Sequence, residues 1–143
     1  MAAHKRFLVY SDGGARGNPG PAAVAFLALT ETGEVVKADS CFIGTHTNNQ
    51  AEYYALITAL QFVIDEKAEE VVCHLDSELV AKQLNGQYRI KNLDLQKLWR
   101  IVEELKGRFK KVSFVNVPRS NPYISRADAL VNKTLDEEER KRL

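Results

Sequence analysis

Four carboxylates in this chain stand in distinctive local strings. They are Asp12 in Tyr10-Ser11-Asp12-Gly13-Gly14, Glu52 in Asn48-Asn49-Gln50-Ala51-Glu52, Asp76 in Leu75-Asp76-Ser77, and Asp128 in Arg126-Ala127-Asp128-Ala129-Leu130. Acids this far apart do shared chemistry only if strand ends and helices carry them to one spot. Gathered there, they would repel one another and raise each other's pKa. Hard divalent cations with oxygen ligands remove that penalty. Two such ions ~3.5–4 Å apart can clamp a phosphodiester, one activating water and the other stabilising the leaving oxygen.

Taken singly, three of the four have an adequate structural explanation. Asp12-Gly13 is a standard turn pair. Glu52 falls in the first turn of its expected helix, where the helix dipole favours an acid by ~0.3–1 kcal/mol. Asp76 precedes a helix, where Asp is a natural N-cap. Asp128 differs, because it sits among Ala127, Ala129, Leu130 and Val131. An acid so close to apolar neighbours is costly unless it is paired or metal-bound.

The elements that must position these acids follow from periodicity and punctuation. Residues 5–11 read as a first strand ending in Asp12. Residues 13–21, with four of the eight glycines and two of the four prolines, read as a loop. Residues 22–29 and 35–43 complete a β-meander around a turn at Gly33. Ala51, Ala55, Leu56, Ala59, Leu60, Val63 and Ile64 recur at helical spacing, so a helix is expected from about Asn49 to Glu66. Thr47-x-x-Gln50 and Asn49-x-x-Glu52 both offer capping-box starts. A strand over 71–75, a short helix over 77–84, an amphipathic helix through Leu95, Leu98, Trp99, Val102 and Leu105, and a strand over 111–117 follow. A last helix is expected from about Ser125, fraying into the charged tail. A meander feeding βαβ crossovers predicts an α/β fold. Its five-stranded mixed sheet would carry helices on both faces, with function at the strand ends, and its order is 3-2-1-4-5 if the first and fourth strands are neighbours.

The 143 residues suit one domain, 1–143, and 45% hydrophobic content is enough for a sizeable core. The formal charge of +1 does not by itself mark a nucleic-acid binder. Its distribution is more telling. Residues 31–78 hold ten acids and two bases, and residues 82–111 hold nine bases and three acids. An acidic half for metal beside a basic half for phosphate suits a nuclease, although solvated helix faces would look the same. Neither a signal-peptide stretch nor a membrane-length apolar run is present, and Cys41 and Cys73 read as buried free thiols. The expectation is a cytoplasmic protein. His4, His46 and His74 lack convincing metal-ligand spacing.

The strings Tyr10-Ser11-Asp12-Gly13-Gly14-Ala15-Arg16-Gly17-Asn18-Pro19-Gly20 and Thr47-Asn48-Asn49-Gln50-Ala51-Glu52-Tyr53 are highly specific. With Asp76-Ser77-Glu78-Leu79-Val80 and Arg126-Ala127-Asp128-Ala129-Leu130-Val131-Asn132 following in order, the chain resembles ribonuclease H of type 1 along nearly its full length. The resemblance implies endonucleolytic cleavage of the RNA strand of RNA–DNA hybrids. It assigns Asp12, Glu52, Asp76 and Asp128 to binding two Mg²⁺ ions, with Mn²⁺ as a substitute. It places Gly13, Gly14, Asn18, Asn48 and Asn49 in the groove that reads RNA. Apart from the resemblance, the expectation is a monomer with no obligate protein partner and no membrane association.

Two departures stand out. Many members have a histidine in the loop before the last acid. Here residues 118–126 contain none, and Arg119 could replace it as a phosphate contact or be simply a solvated loop cation. Some members carry an extra basic helix and loop after the short helix. Here residues 85–92 join the helices directly, leaving Arg89, Lys91 and Lys82, aided by Tyr88, to hold the DNA backbone. That grip predicts weak, strongly salt-dependent affinity. Two other functions use the same residues. One is a non-catalytic nucleic-acid-binding module of this fold, and the other is a nuclease that also cuts double-stranded RNA.

Overall fold

The computed structural model describes residues 5–143, so His4 lies outside the described residues. The order is β1 (Arg6–Ala15), β2 (Gly20–Thr30), β3 (Val35–His46), α1 (Asn48–Asp65), β4 (Glu70–Leu75), α2 (Glu78–Leu84), α3 (Leu93–Lys106), β5 (Lys111–Asn116) and α4 (Pro122–Lys141). The sheet runs β3-β2-β1-β4-β5, with β1, β2 and β3 antiparallel and β4 and β5 parallel to β1. This is the expected α/β architecture and strand order.

Successive side chains of a strand point to opposite faces, and β1 shows the consequence. Phe7 and Val9 join one apolar cluster with α1, α2 and α3, and Tyr10 joins a second with α4. Strand β2 lies between two helical layers, which is why its sequence is apolar on both faces. Helix α4 is seated by Ile124, Ala127, Val131 and Leu135, all buried. Burial of each large member contributes about 1.5–3 kcal/mol, enough to hold this helix firmly across the sheet.

Three boundaries differ from the sequence expectation. The loop expected over 13–21 shrinks to residues 16–19, because β1 continues through Gly13 and Gly14 to Ala15, paired with Val24, Ala23 and Ala22. Glycine inside a strand marks a close backbone approach as readily as a turn. Helix α4 starts at Pro122, not near Ser125. Asn121 caps it by accepting from the Tyr123 and Ile124 N–H groups, and a proline fits the first helical position. It also continues through the charged tail to Lys141 instead of fraying. Of the two thiols expected to be buried, Cys73 is, while Cys41 is exposed on β3.

Candidate metal centre

Strand β1 pairs in parallel with β4 from Arg6–Glu70 to Tyr10–His74. On its other edge it continues with β2 to Ala15. Asp12 therefore does not end its strand, as expected, but lies where β1 has outrun its β4 neighbour. Asp76 follows the last β4 residue, Leu75. Ser77, not Asp76, caps α2, its hydroxyl accepting from the Val80 N–H at 3.2 Å. The carboxylate of Asp76 is thereby released from the capping role the sequence allowed it.

Glu52 is positioned by the start of α1. Thr47 is the N-cap and forms the full capping box with Gln50, at 3.1 Å and 2.8 Å. With the first turn used by residues 48–50, Glu52 falls in the second turn, not the first. Of the two capping-box starts the sequence offered, the one at Thr47 forms and the one at Asn49 does not. What seats Glu52 against β1 is Gly13: a β-carbon there would run into the backbone of Ala51 and Glu52. The Gly13 N–H donates to Glu52 Oε1 at 3.3 Å. Glu52 Oε2 is buried and receives no hydrogen bond.

Carboxylate oxygens of Asp12, Glu52 and Asp76 all lie within 4.8 Å of one another. The electrostatic consequence is large. Burial, then the charge of Asp76, pushes the Asp12 pKa up to about 7, with Asp128 adding to the effect. Burial, then the charges of Asp12 and Asp76, raises Glu52 well above the usual carboxylate range. The close approach of the Glu52 and Asp12 side chains raises Glu52 further and partly offsets the rise at Asp12. Asp12 feels all three other acids and is the electrostatic centre of the group. Asp128 borders the same cleft from α4 but falls outside the 4.8 Å set.

The cleft has a volume of about 500 Å³. Gly13, Gly14, Asn48, Asn49, Ser77 and Arg119 line it beside the acids. Asn48 Oδ1 accepts from the Ala15 N–H, and the Asn48 N–H donates to Asn18 Oδ1, both at 2.9 Å. The asparagines thus tie the 16–19 loop to the start of α1. Arg89 and Lys91 are exposed and do not line the cleft. Arg89 borders a separate groove with Tyr88 and Trp99. Lys82 is held by Glu78 at 2.7 Å and by the Tyr88 hydroxyl at 3.2 Å. The sequence reading missed Arg16 and Asn132, which also line the cleft. The signal was available in the i, i+4 spacing of Asp128 and Asn132.

A buried carboxylate oxygen without a donor, crowded by two further acids, is costly in the absence of a cation. An all-oxygen donor set of this kind suits Mg²⁺ or Mn²⁺. His46 and His74 are not in the group. His46 Nε2 meets the Ile43 carbonyl, and His74 Nδ1 meets that of Val9.

Comparisons with known proteins agree with this geometry. Residues 10–134 match the family model described as reverse transcriptase-like. The chain is 42% identical over 132 residues to ribonuclease HI of Halobacterium salinarum, covering 92% of this chain and 65% of that protein. It is 38% identical to the bifunctional protein Rv2228c of Mycobacterium tuberculosis, of which it spans 36%. It therefore spans about two thirds or less of these curated relatives. Among solved structures, H. salinarum RNase H1 superposes with a TM-score of 0.89, covering 92% of this chain and 98% of that one. The N-terminal RNase H domain of Rv2228c gives 0.90 at 33% identity, covering 96% and 99%. LC11-RNase H1 in complex with an RNA/DNA hybrid gives 0.86 at 37% identity, covering 92% and 98%. With its strand order, its clustered acids and these matches in accord, the chain belongs to the ribonuclease H family.

Proposed function

We propose that this chain is an endoribonuclease that hydrolyses the RNA strand of RNA–DNA hybrids, with Asp12, Glu52, Asp76 and Asp128 holding two Mg²⁺ ions. The observation that carries the reading is the convergence of three carboxylates within 4.8 Å around a buried Glu52 oxygen that no protein group satisfies. When bound, the ions supply activation of water and stabilisation of the leaving oxygen, with Mn²⁺ able to substitute. LC11-RNase H1, solved with an RNA/DNA hybrid, supports the same substrate class here.

The protein's own groups do the positioning. Asp12, central to the other three acids, bridges their charges. Asn48 and Asn49 face the cleft with amides that both donate and accept, as a 2′-hydroxyl requires. Gly13 and Gly14 let the backbone approach the strand closely. Arg119 offers a cation to a phosphate, but a guanidinium only donates and does not give up its proton in a protein, so it is no general base. Arg89 and Lys91, which are exposed and outside the acidic cleft, are the cations to which this reading assigns the DNA backbone.

We extend the reading to a single catalytic domain over 1–143 that acts as a cytoplasmic monomer without an obligate protein partner. No described helix is long and apolar enough to cross a membrane. The free thiols of Cys41 and Cys73 suit a reducing compartment.

The decisive experiment follows each strand of a labelled RNA–DNA hybrid separately, with Mg²⁺ and with EDTA. Internal cleavage of the RNA strand alone, abolished by EDTA, is expected. An intact RNA strand in Mg²⁺ and in Mn²⁺ would leave a binding module of the same fold. Equal cutting of double-stranded RNA would widen the substrate class.

A further inference from the structure

Asp128 is the one acid of the four outside the tight cluster, and its carboxylate heads a chain of contacts through Asn132 to Arg16 along the cleft. Asn132, one helical turn on, places its side-chain Nδ2 3.4 Å from Asp128 Oδ2 and 3.1 Å from the Asp128 carbonyl. The Oδ1 of the same amide accepts from Arg16 Nη2 at 3.3 Å, and the Asn132 carbonyl accepts from it at 3.4 Å. Arg16 is anchored by Asp136 at 2.8 Å and Glu139 at 2.7 Å. Asp128, Asn132, Asp136 and Glu139 follow at spacings of four, four and three, one face of α4.

The chemistry of these groups admits one orientation. A guanidinium only donates and a carboxylate only accepts. The Asn132 amide, held between them, must turn its oxygen to Arg16 and its NH₂ to Asp128. Arg16 itself meets two carboxylates, so its charge is already matched and is not free for a substrate phosphate. We propose that Arg16 is a positioning residue that acts through Asn132 to aim the Asp128 carboxylate at the cation site. This rests on the hydrolase reading above for its functional consequence, but not for its structural one. Outer partners that orient metal ligands typically affect metal affinity or activity by about 10–100-fold. With one ligand of four involved, the lower end applies.

The test compares wild type with Arg16→Met, Arg16→Lys, Asn132→Ala and the Arg16→Met/Asn132→Ala double variant. Mn²⁺ binding is measured by calorimetry without substrate, cleavage is resolved into kcat and KM, and folding is checked by circular dichroism. Arg16→Met should weaken Mn²⁺ binding by roughly tenfold and lower kcat by a similar factor, leaving KM within about twofold. Asn132→Ala should match it, and the double variant should be no worse than Asn132→Ala. Arg16→Lys should recover only part of the loss, because one ammonium cannot span Asn132, Asp136 and Glu139 together.

Three results overturn the proposal. Unchanged Mn²⁺ affinity with a lowered melting temperature makes Arg16 only a staple between the loop and α4. A raised KM at constant kcat makes it a direct substrate contact. Additive losses in the double variant disconnect Arg16 from Asn132. A wild-type protein that binds Mn²⁺ but leaves hybrids intact rejects the hydrolase reading, while the calorimetric comparison still decides this one.

Discussion

Asp12 and Asp76 each lie two residues beyond the last registered pair of the β1–β4 ladder, Tyr10–His74. The two acids leave parallel neighbouring strands at the same height, so their proximity follows from strand register. Glu52 and Asp128 are brought to that height by α1 and α4, which pack on opposite faces of the sheet. Asp12→Asn should therefore remove the centre of the group. Loss of several kcal/mol of transition-state stabilisation corresponds to roughly a thousandfold or more in cleavage rate. A gel assay on the purified variant that shows activity within tenfold of wild type would contradict the assignment.

The raised pKa values make a signed prediction about stability in metal-free buffer. Asp12 moves from 3.8 to about 7 in the folded protein. Between those values the folded state binds more protons than the unfolded chain, so stability is greatest at low pH and declines as pH rises through that window. Glu52 shifts in the same direction. The unfolding free energy without metal should be larger near pH 5 than near pH 8, by on the order of a few kcal/mol at about 1.4 kcal/mol per pH unit, and the melting temperature should fall with it. Asp12→Asn should flatten the profile, and added Mg²⁺ should stabilise most at the alkaline end. A wild-type profile rising across this range would mean that the acids are not crowded as described.

Gly13→Ala should be far more damaging than its single added methyl suggests. The new β-carbon meets the backbone of Ala51 and Glu52, which cannot rotate away as a side chain could. Overpacking of this kind costs about 1–3 kcal/mol or more, and activity should fall as α1 and Glu52 are pushed outward. Gly14→Ala is the control, since the nearest atom there, a Val131 side-chain methyl, is at 3.7 Å. Equal stability of the two variants in urea unfolding would count against the proposed contact.

Ser77→Ala tests the release of Asp76. Loss of an N-cap costs about 0.5–2 kcal/mol, and the bare helix end then competes for the neighbouring carboxylate. Mn²⁺ affinity should decline together with stability, whereas Ser77→Thr should preserve both. Calorimetry showing full affinity in the alanine variant would separate the cap from the site.

Arg89→Ala and Lys91→Ala should raise the dissociation constant for hybrid without changing Mn²⁺ affinity. Each should lower the salt slope of log affinity by about one if it neutralises one phosphate. Binding measured at several salt concentrations decides this, and an unchanged slope would remove these two cations from the substrate grip.

Much of this was legible in the chain itself. Apolar spacing and punctuation located the nine elements of the described residues: helical spacing marked α1 and α3, alternation marked β5, and a short unbroken apolar run marked the doubly buried β2. The four acids stood out because each sits in a distinctive local string. Local pattern could not say how far β1 extends past Gly13, since glycine serves a turn and a close backbone contact equally well. Nor could it choose Ser77 over Asp76, or Thr47 over the asparagines, as caps, since each of these residues can accept the same N–H. Only packing resolved those choices: α1 resting on Gly13, α2 capped by its serine, and Arg16 reaching across more than a hundred residues to Asn132 and Glu139. Contacts between residues distant in sequence depend on how the layers stack, and no local periodicity encodes that.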